Sequence, residues 1–206
     1  MGNGTGTILI AGNSFALWHW KTLQQAMNWK FRKADLFSRG VCLLFTDLNV
    51  KDERFDCDKS RDHFVNILER IKPDMLIIDQ KLSLNYHLRL PITEPDNATQ
   101  IIIDSFKLFS NFTQKIVIIE PNFSIENKHQ IPAQVFSKIY PRKPSILNWT
   151  ISIKEIEAEM DPSWKRIQKA VESCPKCELL PTRQQFCGRD GTTKKQKCHC
   201  SVTMPI

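Results

Sequence analysis

Short β-rich apolar runs alternate with segments of helical period along this chain, and that alternation leaves few architectures open. Thr7-Ile8-Leu9-Ile10-Ala11 reads as a buried parallel strand closed by Gly12. Ala16, Trp20, Leu23, Met27, Phe31 and Ala34 then recur at helical spacing. Residues 41–45 form a second apolar run, and Phe64, Ile67, Leu68 and Ile71 a second helical stripe stopped by Pro73. Residues 75–78 and 115–119 read as the third and fourth strands, with Ile102, Phe106 and Phe109 marking the helix between them. A last helix is expected from Asp161 as N-cap, with Pro162 at its first position and Trp164, Ile167 and Val171 buried. Residues 122–152 carry Pro132, Pro141 and Pro144 without a sustained period, so a long surface excursion is expected there. Strand-helix units of this kind imply an α/β fold: a three-layer α/β/α sandwich around a mainly parallel, flavodoxin-like sheet. At 206 residues the chain suits one such domain, expected over residues 7–190. A flexible leader at 1–6 and a basic, cysteine-containing tail at 191–206 flank it.

In a parallel sheet of this type the site lies beyond the carboxyl ends of the strands. The first turn there is Gly12-Asn13-Ser14. A serine at the amino end of a helix sits among free N–H groups that favour negative charge, so its oxygen can attack an acyl carbon while those groups stabilise an oxyanion. The competing reading makes Ser14 simply the N-cap of the first helix.

Composition narrows the setting. The net charge of +7 is spread along the chain, which points to no nucleic-acid partner. The Gly2/Gly4/Gly6 run precedes the first strand and so cannot cradle a dinucleotide phosphate. Asn3, Asn97, Asn111, Asn122 and Asn148 each begin an N-glycosylation sequon. Chance gives about one at this composition, so a lumenal or extracellular setting is favoured. Seven cysteines fit that setting; Cys42, Cys57, Cys174, Cys177 and Cys187 are the disulfide candidates. Cys42 and Cys57, on either side of one connection, are expected to bridge. Only Cys174 and Cys177 have the two-residue spacing of a zinc pair, so neither a metal nor a cofactor is expected. The sequence holds no apolar run long enough to span a bilayer and no signal-peptide pattern at its start. Lumenal features of this kind fit a piece of a longer protein inserted by upstream membrane segments. Trp18 and Trp29, eleven residues apart, share a helix face flanked by Lys21, Lys30, Arg32 and Lys33. That face either meets lipid headgroups or a membrane domain, or is a second buried face.

The block from Ile8 to Ala16 resembles the first block of SGNH hydrolases, in which a strand ends in Gly-Asp-Ser. Asn in place of Asp resembles the variant in the domain fused behind multi-span O-acyltransferases of the acyltransferase-three family in invertebrates. Cys57, the Lys72-Pro73-Asp74 strand block, the strand ending in Glu120-Pro121, Trp164, Cys174-Pro175-Lys176-Cys177 and Gln185-Phe186-Cys187 follow in matching order. The resemblance implies a Ser14 nucleophile, transfer or hydrolysis of acyl groups (other than amino-acyl) on a sugar or lipid hydroxyl, and the membrane acyltransferase domain of a parent protein as partner. It does not identify the acyl donor or the acceptor. It also implies a place at the lumenal or extracellular face of a membrane.

Three departures matter. Family members carry a Gly after strand two and an Asn after strand three as oxyanion donors. Gly40 precedes the expected second strand, and strand three runs into Asp79-Gln80-Lys81, where Gln80 is the one candidate amide. Near the C-terminus the family's general base comes from Asp-x-x-His, and none of His19, His63, His87, His129 or His199 has Asp three positions before it. The sequence therefore predicts a C-terminally truncated copy with little or no turnover, or a non-catalytic lumenal interaction module. His19, about one helical turn beyond Ser14, is the first alternative base.

Overall fold

The computed structural model describes residues 2–45, 47–49, 54–83, 85–121, 150–183, 187–189 and 196–199. Five parallel strands form the main sheet in the order β2-β1-β3-β4-β6. They are β1 (Thr7–Gly12), β2 (Lys33–Ser38), β3 (Met75–Asp79), β4 (Lys115–Ile119) and β6 (Cys177–Leu180). Helix α1 (Ser14–Ala26) covers one face, where Ala16, Trp20 and Leu23 meet Ile8, Ile10 and Ile77. The other face carries α2 (Cys57–Ile71), α4 (Asn97–Ser110) and α5 (Ile153–Val171). There Phe64, Phe106, Trp164 and Ile167 pack on Leu9, Leu76, Ile78 and Ile116. A short α3 (Tyr86–Arg89) precedes α4. The α/β/α sandwich implied by the alternation is thus observed.

Several boundaries differ from the sequence reading, each for a physical reason. The second strand is Lys33–Ser38, not 41–45. As the edge strand it is half-buried and mixes polar with apolar residues, so it lacks the continuous apolar signature of its neighbours. Residues 42–45 are buried instead as a loop. Asn49 holds Leu43 through both backbone groups, the Gln80 side chain accepts from the Leu44 N–H at 3.1 Å, and a Cys42–Cys57 disulfide (Cα–Cα 5.3 Å) ties the loop to α2. A short apolar run cannot distinguish these outcomes by itself.

Helix α1 ends at Ala26, because Asn28 and Trp29 adopt left-handed backbone at φ 48° and 57°. Trp18 and Trp29 therefore share no helix face, and both are exposed rather than buried. Helix α5 begins at Ile153 and runs through Pro162. Its stripe Ile156, Met160, Ser163, Trp164, Ile167 and Ala170 stays buried on both sides of the proline, so packing overrides the missing N–H. The fifth strand, Cys177–Leu180, was not expected at all; it follows a Cys174–Cys177 disulfide. The expected leader is fastened down, with Asn3 N–H on Trp29 O, Gly4 N–H on Phe31 O and Arg32 N–H on Gly6 O. Within the expected tail, β8 (Gln196–His199) pairs antiparallel with β5 (Thr150–Ser152) and β7 (Cys187–Arg189). In that ladder Cys187 stands opposite Cys198. Asn97 and Asn111 are exposed on α4 and at its C-cap. Asn122 and Asn148 lie outside the described residues.

One buried ion pair fastens the helical layer. The Arg166 guanidinium on α5 meets the Asp96 carboxylate through two nitrogens at 2.9 and 3.0 Å. It also donates to the carbonyls of Leu88 and Leu90. Asp96 in turn caps α4 by accepting from Thr99 N–H. Burial alone would raise the Asp96 carboxyl, but Arg166 and the Thr99 hydroxyl and N–H outweigh it and hold it below the usual range. The stabilisation from this depressed pKa is present above the ordinary carboxylate range and fades as pH falls through the folded value. Arg166→Met leaves a buried carboxylate without its cation, so it is expected to cost about 3–5 kcal/mol in urea unfolding at neutral pH. Unchanged stability would show that the pair does not hold the layer.

Candidate active site

The sheet order places a topological switch between β1 and β3, since the chain leaves β1 towards β2 on one side and returns to β3 on the other. The turn after β1 sits at that crevice. Gly12 lies in register with Ser38 and Asp79. A Cβ on Gly12 would stand 1.9 Å from the Asp79 carbonyl oxygen, so only glycine lets the two backbones approach this closely.

Asn13 is fully buried. Its Nδ2 donates to the Lys81 carbonyl at 3.1 Å, and its Oδ1 accepts from the Lys81 N–H at 3.2 Å. The same oxygen accepts from Phe15 N–H at 3.3 Å, which makes Asn13 the N-cap of α1. One amide thereby matches a whole peptide unit and caps a helix. A carboxylate cannot do this, because it has no donor for the Lys81 carbonyl. The Ser38 hydroxyl donates to the Asn13 carbonyl at 2.8 Å and ties the turn to the end of β2.

Ser14 is the first helical residue rather than the cap. Its side chain is partly exposed and makes no hydrogen bond among the described residues. The competing reading of Ser14 as the helix N-cap is therefore corrected. Asn13 already satisfies the helix end, which leaves the serine hydroxyl free. Ser14 does not line the cavity of about 320 Å³ at the end of β2, which is bounded by Phe37, Ser38, Arg39, Lys59 and His63.

The groups after the neighbouring strands fall into place around this turn. Gly40 follows β2 rather than preceding it, once the strand is correctly set at Lys33–Ser38. It thus occupies the position after strand two at which the SGNH resemblance expects its glycine. Gln80 is buried; its oxygen is used by Leu44 N–H, and its Nε2 has no hydrogen-bond partner among the described residues. Asp79 is 1% exposed and bonds to His19 Nδ1 through Oδ2 at 2.8 Å. His19 lies on α1 with its ring edge-on to Phe15. The hydrogen bond to Asp79 is the main reason the His19 pKa is raised; burial works against it and the carboxylate charge adds to it. Sequence reading named His19 but missed Asp79, although an aspartate closing a buried strand was the available signal. No group of three or more metal-ligating side chains comes together among the described residues.

A family model of the SGNH domain fused to AT3 domains matches residues 1–199. The chain belongs to this SGNH family. Among solved structures, this SGNH domain is similar to the periplasmic domain of a lipopolysaccharide acetyltransferase from Salmonella ser. Paratyphi A. The two are 13% identical, with a TM-score of 0.60, over 92% of this chain and 70% of the other. At that identity the likeness establishes the shared fold. No curated protein matches the SGNH domain described here. The family's association with AT3 domains points to a larger membrane protein. No helix among the described residues is itself long and apolar enough to cross a membrane.

The clamp on the turn yields a prediction. Asn13→Asp places a carboxylate against the Lys81 carbonyl and removes one buried donor. It is expected to lower unfolding stability by about 1–3 kcal/mol at neutral pH. Urea titration of both proteins checks this, and an equally stable variant would show that the amide donor is dispensable.

Proposed function

We propose that this chain is the SGNH module of a membrane O-acyltransferase, and that Ser14 carries the acyl group between a donor and a hydroxyl acceptor. The observation that supports this best is the freedom of Ser14. It stands at the topological switch point, at the amino end of α1, with the capping role taken by its neighbour Asn13. Helix N–H groups near that position can stabilise an oxyanion formed on the attacked acyl carbon. The family's AT3 association favours a membrane acyltransferase domain as the covalent or physical partner, and the sequons favour the lumenal or extracellular face.

A non-catalytic interaction module is the second reading. It is favoured by Leu17 and Trp18, which are 55% and 63% exposed on α1 beside the site. Exposed aromatic residues of this size often serve binding surfaces.

The two readings separate in one experiment. The purified chain is incubated with p-nitrophenyl acetate, and its intact mass is followed. The acyl-transfer reading predicts one acetyl group on Ser14 and none on Ser14→Ala at the same site. Absence of acetylation at Ser14 in the folded chain would favour the interaction module.

A further inference from the structure

The sequence lacks the Asp-x-x-His that the SGNH resemblance leads one to expect as general base, yet a serine without a base is a poor nucleophile. The structure holds a histidine-carboxylate pair at the same switch point, built from different elements. We propose that His19, oriented by Asp79, is the proton acceptor and donor for Ser14. This rests on the reading of Ser14 as the acyl carrier.

Four observations bring the pair to the serine. Asp79 closes β3 in register with Gly12, two residues before Ser14. His19 is five residues beyond Ser14 on α1, a rise of about 7.5 Å, and helical side chains lean back towards the amino end. The ring does lean that way, since it reaches Phe15, the residue next to Ser14, with ring centroids 5.8 Å apart. The imidazole is thus tied to the exit of β3 and packs on Phe15, the residue that follows Ser14 at the start of α1. Finally, Asp79 binds Nδ1, which fixes that nitrogen as the N–H in neutral histidine and leaves Nε2 as the basic lone pair.

The carboxylate has a reason to be there. Asp79 is 1% exposed, and His19 is its side-chain hydrogen-bond partner among the described residues. Burying a carboxylate on a single imidazole is costly if the pair serves packing alone, because an apolar pair would fill the same space. The His19 side chain is a third exposed, so the imidazole is not sealed in the core with Asp79. Asp79 is the charged group that acts on His19, and Phe15 is its aromatic neighbour on the same helix.

Ser14 Oγ bonds to the acyl carbon, its proton passes to His19 Nε2, and the carbonyl electron pair moves onto oxygen. The proton crosses directly once the donor seats the hydroxyl, or across one water. Collapse of the adduct breaks the bond to the leaving group, which takes the proton from His19. An acceptor hydroxyl then gives its proton to the freed Nε2 and attacks the acyl-serine. Collapse breaks the bond between Ser14 Oγ and the acyl carbon, Ser14 Oγ takes the proton back from His19, and the acceptor leaves acylated. Asp79 keeps its hydrogen bond to Nδ1 and acts as a positioning residue.

Acetylation of Ser14 by p-nitrophenyl acetate, followed by intact mass across about pH 5 to 9, tests the assignment. Because the base must be deprotonated, the rate is expected to rise through a His19 pKa above the ordinary value of about 6.5. Stability contributed by the pair runs the other way. It is full below the unfolded-state value and is lost as pH rises through the raised folded value. His19→Gln is expected to lower the rate about 100-fold or more and to remove the inflection. Asp79→Asn moves the inflection to lower pH, and added imidazole restores rate to His19→Ala. Ser14 acetylation in wild type that is unchanged in rate and pH profile in folded His19→Gln overturns this base assignment alone. A folded wild-type chain that is never acetylated at Ser14 overturns the carrier reading, and the base assignment with it.

Discussion

The arrangement around the proposed reaction centre depends on one side-chain amide. Asn13 meets both hydrogen-bonding groups of the Lys81 peptide and caps α1 at the same time. Satisfying a buried peptide and a helix end with one residue fixes the exit of β1 against the exit of β3. The neighbouring serine is thereby relieved of any structural bond among the described residues. An aspartate in this place could cap the helix but not match the Lys81 carbonyl, so the Asn variant is tied to how β3 ends in this chain.

The same close approach brings a carboxylate to the site. Gly12 lets β1 run so near Asp79 that their backbones touch, and the Asp79 side chain then lies beneath α1, where His19 meets it. Topology and chemistry are linked at this point. The switch between β1 and β3 opens the crevice, the glycine allows close packing, and the buried carboxylate orders the imidazole. The Cys42–Cys57 disulfide and the Gln80–Leu44 bond hold the apolar loop that forms the far side of β3's exit.

Much of this was legible from the sequence where physics leaves a strong pattern. Strands β1, β3 and β4 are buried on both faces, so they read as continuous apolar runs. The edge strand β2 misled because it is half-buried, while the apolar residues at 42–45 are buried as a loop. That single error also misplaced Gly40, which falls after the second strand once the register is known. Pro162 suggested a helix start because proline favours the first turn, but the buried stripe of α5 runs across it. The Gly12-Asn13-Ser14 turn was visible, and so was the Cys42–Cys57 bridge. The cap was assigned to the wrong residue of that turn, since Asn and Ser are equally good N-caps by composition. The His19–Asp79 pair spans sixty residues of sequence and exists only through sheet register.

If the Asn13 clamp is what leaves Ser14 reactive, a fluorophosphonate applied to the folded chain is the most direct probe. Such reagents label a serine whose hydroxyl is free and activated, and peptide mass spectrometry locates the tag. The account predicts a single adduct on the Ser14 peptide, strongly reduced in a folded Asn13→Ala variant, in which Ser14 must take over the cap. Labelling spread over surface serines, or labelling of Ser14 that is indifferent to Asn13, would contradict it.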